Sequence, residues 1–399
     1  MDRSPGGKLR RIGTLAAINR APGLESRDRA TEATGDDAIS ADVVKQSVSA
    51  LQDQIVRMRG GTAQMTDSDR ALVETARSAG GKLATDGAGA NLSASEEMAL
   101  EAIAVADGSR PALLLHDDTI DPNDRTIGDW GRKLRDFGGA LKAASQSVGR
   151  INMRGRHIGT GWMIRPGCVV TNRHVAQVVS KDPKQVHLNL DSDHGPTICF
   201  GHQFNETAPL PQHPIEAILF AGEEYVDPYR SDMARLDLAI LKIGAGPVQL
   251  PDPLPSSLLP LDQTVVATDI FVLGYPGPAA GSSLPNSVLM DLLGPQAGLK
   301  RLSPGEIALE VGKIASDSKS RTFVHDATTL GGSSGSAILA FDKVGRPLTL
   351  GLHFGGYEVK YGPGGVVEYR GRNFAHSFAA MDDVMADVNR AVAAELSRA

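Results

Sequence analysis

The chain has 399 residues, 41% hydrophobic and 22% charged, with a formal net charge of −6. Such a length and composition support two or three domains with ordinary cores and exclude a chain disordered throughout. The acidic balance argues against nucleic acid or an anionic membrane surface as partner, and no apolar run of about 18 residues is present to span a bilayer. The basic N-terminus lacks an apolar core ahead of a cleavage site, so it does not read as a secretory signal. Only two cysteines occur, Cys168 and Cys199. Two free thiols and a cytoplasmic location are expected, with a Cys168–Cys199 bridge the alternative that sequence leaves open.

Residues 1–35 are polar, basic first and acidic later, and are expected to be disordered. Residues 36–145 read as a helical region. Ser40 opens a segment with Val44, Val48, Leu51, Ile55 and Met58 on one face, stopped by Gly60-Gly61. Thr66 to Asp69 caps a second helix, carrying Leu72, Val73 and Ala76, that is expected to end at Gly80-Gly81. Ser93 with Glu96 forms a capping-box pattern for a third helix through Ala106. Residues 111–116 are a short apolar run that reads as a strand. Trp130, Leu134, Phe137, Leu141 and Ala144 recur at helical spacing and predict one amphipathic helix packed on the domain that follows.

From Val148 the texture becomes β-rich. Residues 161–164, 168–170, 186–190, 270–274 and 348–352 read as short strands between Gly, Pro, Asn and Asp, the pattern of a sandwich or barrel. A Pro-rich stretch at 245–260 reads as the link between two β halves, 146–255 and 256–372. Phe378, Met381, Val384, Met385, Val388 and Val392 predict a C-terminal helix within 373–399. There is no internal repeat, zinc-ligand spacing or phosphate-binding glycine loop, so neither a metal nor an organic cofactor is expected.

Three local contexts bear chemistry. Thr171-Asn172-Arg173-His174-Val175-Ala176 contains a histidine, Leu236-Asp237-Leu238-Ala239-Ile240-Leu241 an aspartate at the head of an apolar strand, and Gly332-Ser333-Ser334-Gly335-Ser336 a serine between glycines. A serine hydroxyl is a poor nucleophile until a base takes its proton. His174 is the candidate base, Asp237 would hold the other ring nitrogen's proton, and Ser334 would attack. Gly332 lets the backbone bend so that its amide and that of Ser334 point at one spot, an oxyanion hole. Taken singly, each context has a bland reading: a flexible Gly-Ser loop, a packing histidine, a satisfied buried acid. Together the balance reverses, since buried Asp and His are costly unless partnered. Ser333 and Ser336 lack glycine on both required sides, Asp232 lies in a polar loop, and His157, His187, His194, His202 and His213 lack the Thr-x-x-His-Val context.

In the order His, Asp, Ser, these segments resemble the trypsin/chymotrypsin-type serine proteases, particularly bacterial members without disulfides. T-N-R-H-V-A resembles their histidine motif, L-D-L-A-I-L their aspartate strand and G-S-S-G-S-A-I their serine loop; F-V-L-G-Y-P at 271–276 and G-L-H-F-G-G at 351–356 resemble further segments. The likeness covers roughly residues 148–365. It implies a mainly β fold, two six-stranded β-barrels with the site between them, preceded by the helical region and followed by the C-terminal helix. It also implies a serine endopeptidase that cleaves protein or peptide substrates through an acyl-enzyme. The alternative is a catalytically silent binding or scaffold module of the same fold.

The resemblance also implies substrate-binding roles. Thr328 stands where trypsins carry the aspartate of their specificity pocket, so preference for Lys or Arg has no charged basis. His353-Phe354-Gly355 corresponds to the segment that pairs with substrate backbone, and glutamyl endopeptidases similarly carry a histidine at the place of His353. Ser333 stands where trypsins have the aspartate that pairs with a new N-terminus, so that activating salt bridge is not expected. The leader R-P-A-L-L-L-H-D-D-T-I-D with its Trp-containing helix resembles that of cytoplasmic bacterial trypsin-like proteases among immunity and signalling effectors. For the helical region the expectation is regulation, as a zymogen-like cover released by a partner or activating protease, or docking to a signalling complex.

Overall fold

Helices α1 (Pro5–Asn19), α2 (Ala41–Arg59), α3 (Asp67–Asp86) and α4 (Ala94–Ala106) open the chain. The computed structural model describes residues 5–19, 39–121, 127–128, 130–203, 206, 210–227, 232–255, 257–266, 268–277, 291–292, 298–314, 316–329, 332–355, 357–361, 367–371 and 373–396. The four helices bury one apolar stripe each in a common core that includes Leu9, Ile12, Leu51, Ile55, Leu72 and Ile103. Their ends are set locally. The Ser40 hydroxyl accepts the Val43 N–H, and Gly60 closes α2 with φ of 82°. Thr66 with Asp69, and Ser93 with Glu96, form reciprocal capping boxes that satisfy otherwise orphaned N–H groups.

Two expectations for this region need correction. Within 1–35, residues 5–19 form α1, because Leu9, Ile12 and Ala16 make a stripe, sparse in sequence, that the faces of the other helices cover; residues 1–4 and 20–35 lie outside the described residues. Helix α3 does not stop at Gly80-Gly81 but continues to Asp86. A Cβ on Gly80 would come within 2.5 Å of Val44 Cγ1, so this glycine serves close approach of α2 and α3 rather than termination.

Strands β1 (Leu113–His116) and β2 (Thr119–Ile120) follow. The single amphipathic helix expected over 130–144 is divided into α5 (Trp130–Asp136) and α6 (Gly138–Gln146). Phe137 leaves the helical geometry at the break, with φ of −103° and ψ of 1°, and stacks on Phe341 at 4.4 Å between ring centroids. Packing of that ring, together with the poor helix formers Gly138-Gly139, outweighs the periodicity.

Then come β3 (Val148–Met153), β4 (Arg156–Arg165), β5 (Cys168–Thr171), α7 (Arg173–Val178), β6 (Thr197–Cys199), β7 (His213–Ala221) and β8 (Ala239–Ile243). These strands close into an antiparallel barrel in the order β3-β4-β5-β8-β7-β6. The strand expected at 186–190 is absent from it. There the carbonyls of Gln185 and Val186 accept the buried Arg173 guanidinium, and Leu190 makes only an isolated bridge with Ser180. Cys168 and Cys199 are both buried and unpaired.

Beyond the Pro-rich link lie β9 (Asp269–Gly274), β10 (Arg301–Leu309), β11 (Thr322–His325), β12 (Ala337–Phe341), β13 (Pro347–His353), β14 (Tyr357–Tyr361), β15 (Val367–Gly371) and β16 (Phe374–Ser377). The order β9-β10-β11-β16-β13-β12 closes a second six-stranded barrel, and β14 pairs with β15 outside it. Strand β1 adds to β10 in the register Leu113↔Leu302, which fastens the end of the helical region to this barrel. Helix α8 (Asp382–Leu396) returns to the first barrel, where Lys242 meets Glu395 at 3.0 Å and Phe378, just before the helix, packs edge-on against Trp162. Two closed antiparallel barrels between N-terminal helices and a C-terminal helix are the mainly β architecture that the resemblance implies.

Candidate active site

His174 lies in the first turn of α7, held there by its neighbours. Asn172, the residue before the helix, donates its side-chain amide to the Asp237 carbonyl at 2.9 Å, and the Arg173 guanidinium is buried against the carbonyls of Gly222, Gln185 and Val186. Asp237 sits two residues before β8. Its carboxylate accepts from His174 twice: Oδ1 from the backbone N–H at 2.9 Å, and Oδ2 pairs with ring Nδ1 at 2.7 Å. Burial opposes the Asp237 charge, yet the His174 imidazole and the two hydrogen bonds hold its carboxyl below the usual value. An imidazole bonded in this way presents Nε2 away from the carboxylate, where it can accept a proton.

Ser334 occupies the turn between β11 and β12. Its carbonyl accepts the Thr160 N–H at 2.8 Å, and Gly335 N–H donates to the His353 carbonyl at 2.8 Å. Gly159 lies against both the Ser334 carbonyl and the Val175 side chain, next to His174. Gly335 has φ of 88°, and a Cβ there would collide with the Thr160 carbonyl oxygen. Gly332 likewise has a left-handed φ of 84°. Among the turn's serines, Ser333 and Ser336 are only 3% and 1% exposed, whereas Ser334 is half-buried. No hydrogen bond joins Ser334 Oγ to His174 among the described residues; such contacts are often long in unliganded sites and tighten with substrate.

The substrate-binding residues expected from the resemblance fall in two places. His353 ends β13 beside the serine turn, with Phe354 and Gly355 following it, and the His353 N–H donates to the Ser336 carbonyl at 3.0 Å. Thr328 is buried, with its hydroxyl donated to the Arg110 carbonyl at 2.7 Å. Asp232, set aside in the sequence, pairs with Arg235 at 2.8 Å and is remote in role from His174.

Sequence reasoning passed over two histidines. His325 Nε2 pairs with His353 Nδ1 at 3.1 Å. His376 accepts the Asp237 backbone N–H at 3.1 Å through Nε2 and stacks on Phe354. Burial pushes His325 down to about 3 and His376 to about 4. His353 is held well below its ordinary value by burial first, then by His325 and His174. The available signal was a histidine inside each apolar strand, T-F-V-H and F-A-H-S, which costs free energy to bury without a partner.

A family model described as a trypsin-like peptidase domain matches residues 159–346. A protein of Lysobacter enzymogenes named a probable serine protease is 31% identical over 380 residues, covering 87% of this chain and 92% of that protein. The chain belongs to the trypsin-like serine peptidases. The peptidase is a hydrolase whose substrates are proteins or peptides. Its match to the Lysobacter protein runs well beyond the barrels, so the helical region falls largely within the similarity. Among the described residues no helix is long and apolar enough to cross a membrane.

Proposed function

We propose that the peptidase cleaves internal peptide bonds with Ser334 as nucleophile, His174 as general base and then acid, and Asp237 as the group that orients the imidazole. The carrying observation is the pair of hydrogen bonds between His174 and Asp237 beside a turn in which Ser334 is the accessible serine. Attack of Oγ on the scissile carbonyl forms a tetrahedral intermediate as its proton passes to His174 Nε2. The imidazolium returns that proton to the leaving amine, and water then releases the acyl group by the reverse route. The amides of Gly332 and Ser334 serve the oxyanion.

His353 supplies a preference for an acidic side chain before the scissile bond. In the tautomer where His325 Nε2 donates to His353 Nδ1, the proton of His353 stands on Nε2, beside Gly355, as a donor to a carboxylate. Thr328 contributes to the pocket through its backbone position, since its hydroxyl is engaged. Two buried unpaired thiols and disulfide-free barrels suit a cytoplasmic effector, acting in bacterial immunity or signalling, with the helical region as the place of regulation.

Mapping of cleavage sites in a denatured proteome by mass spectrometry, for wild type against Ser334→Ala, tests these assignments together. New termini that follow Glu or Asp and vanish in the variant are expected. Equal cleavage by both proteins would refute Ser334, and termini without acidic enrichment would refute the preference. No cleavage by either would favour a silent scaffold.

A further inference from the structure

Three charged side chains of the N-terminal region converge on the segment that leads into the serine turn. Glu101, on α4, has a side chain 13% exposed, and its carboxyl faces the backbone N–H of Thr329. Arg10, on α1, approaches the same carboxyl at 3.8 Å. Arg110, in the stretch between α4 and β1, has a side chain only 1% exposed and forms a two-pronged pair with Asp326, both bonds 2.7 Å, with Glu306 at 3.3 Å. The Arg110 carbonyl takes the Thr328 hydroxyl, so this one residue grips the segment by side chain and backbone.

Residues 326–329 are held from the opposite side as well. Asn373 donates to the Ala327 carbonyl at 2.7 Å and pairs with the Thr329 hydroxyl at 2.5 Å, while the next residue, Phe374, accepts the Phe354 N–H at 3.0 Å. Residues 327–329 and 353–355 thus stand on either side of 373–374. One runs into Ser334, and the other is bonded to Gly335 and Ser336. A substrate side chain adjoining the scissile bond would lodge between these two walls.

Taking a guanidinium and its carboxylates out of water is costly before pairing, and an apolar contact would dock the helices as firmly. Charged pairs of this kind are better explained by the geometry they impose than by stability. Here both reach one short segment, Arg110 at the Asp326 carboxylate and Glu101 toward the Thr329 N–H.

We propose that Glu101 and Arg110 are positioning residues that set one wall of the substrate pocket, so that the helical region completes the specificity site instead of covering the cleft. The inference rests on Ser334 being the nucleophile. Detaching these contacts then weakens and broadens substrate selection, the reverse of what release of an inhibitory cover would do.

The test uses the full chain with Glu101→Leu, Glu101→Gln and Arg110→Lys, each checked by melting temperature. Peptides differing only in the residue before the scissile bond give KM and kcat. The rate of Ser334 labelling by diisopropyl fluorophosphate, too small to depend on the pocket wall, reports the nucleophile alone. Glu101→Leu is expected to raise KM about tenfold for the preferred peptide and flatten the ranking, with kcat and labelling within about threefold of wild type. Glu101→Gln, which keeps a side-chain oxygen for the Thr329 N–H, is expected to restore both. Arg110→Lys keeps the charge but not the fork and is expected to follow Glu101→Leu; it decides the matter if Glu101→Leu does not fold. Unchanged KM and ranking, parallel loss of labelling and KM, or activity above wild type would each overturn the proposal. Failure of Ser334 to label in an active wild type is a separate result and would instead remove the nucleophile assignment.

Discussion

Asp237 shows how one buried carboxylate serves two ends. It fixes the His174 ring through Oδ2 and the helix that carries it through Oδ1, while its own backbone N–H is taken by His376. Asp237→Asn keeps the size of the side chain but removes the charge that favours the required tautomer. A loss of about 10⁴-fold in kcat is expected with little change in melting temperature, read by peptide hydrolysis at pH 7. Gly335 makes a different demand at the same scale. Its φ of 88° and the adjacent Thr160 carbonyl leave no room for a side chain. Gly335→Ala is expected to cost more than about 2 kcal/mol in chemical denaturation and to abolish cleavage by displacing the turn.

At the scale of elements, the helical region owes its boundaries to caps and its position to packing. Thr66 with Asp69 ties down the start of α3, and the Asp69 carboxylate is also taken by Arg59 at 2.9 Å. Thr66→Ala is expected to lower stability by about 1 kcal/mol. Leu51 is fully buried where α2 meets the shared core, and Leu51→Ala is expected to cost about 2–5 kcal/mol, both measured by urea titration. Strand β1 and the Arg110 grip join that region to the second barrel, while α8 ties the C-terminus to the first.

For the whole molecule, buried histidines set the response to acid. Burial holds His157 and His325 at about 3 and His376 at about 4, whereas an unfolded chain protonates them near 6.5. Between those values the unfolded state binds more protons, so stability falls as pH drops below about 6.5. Asp69, Glu96 and Asp237, with carboxyls held below their ordinary values, contribute stability that is lost at lower pH still. Glu101, pushed up by burial, acts in the opposite sense and offsets part of the loss. Melting temperature is expected to be flat above pH 7 and to decline steadily from pH 6.5 to 4. An equal melting temperature at pH 4.5 and 7.5 would contradict this account.

Short-range chemistry was legible from residue order alone. Capping pairs, apolar periodicity and turn residues act over a few positions, and they announced α2, α4, β1, α8 and the β-rich texture of the barrels. The contexts around His174, Asp237 and Ser334 singled those residues out for the same reason, because each needs particular neighbours in the chain. Features stabilised across long separations were not legible. Helix α1 exists because other helices cover its thin stripe, Gly80 stays helical because Val44 packs against it, and the segment from Gln185 stays out of the sheet where Arg173 takes the carbonyls of Gln185 and Val186. Likewise Glu101, Arg110, His325 and His376 look unremarkable in sequence. Burial made their polar atoms costly to leave alone, and only the folded chain could bring each a partner from so far away.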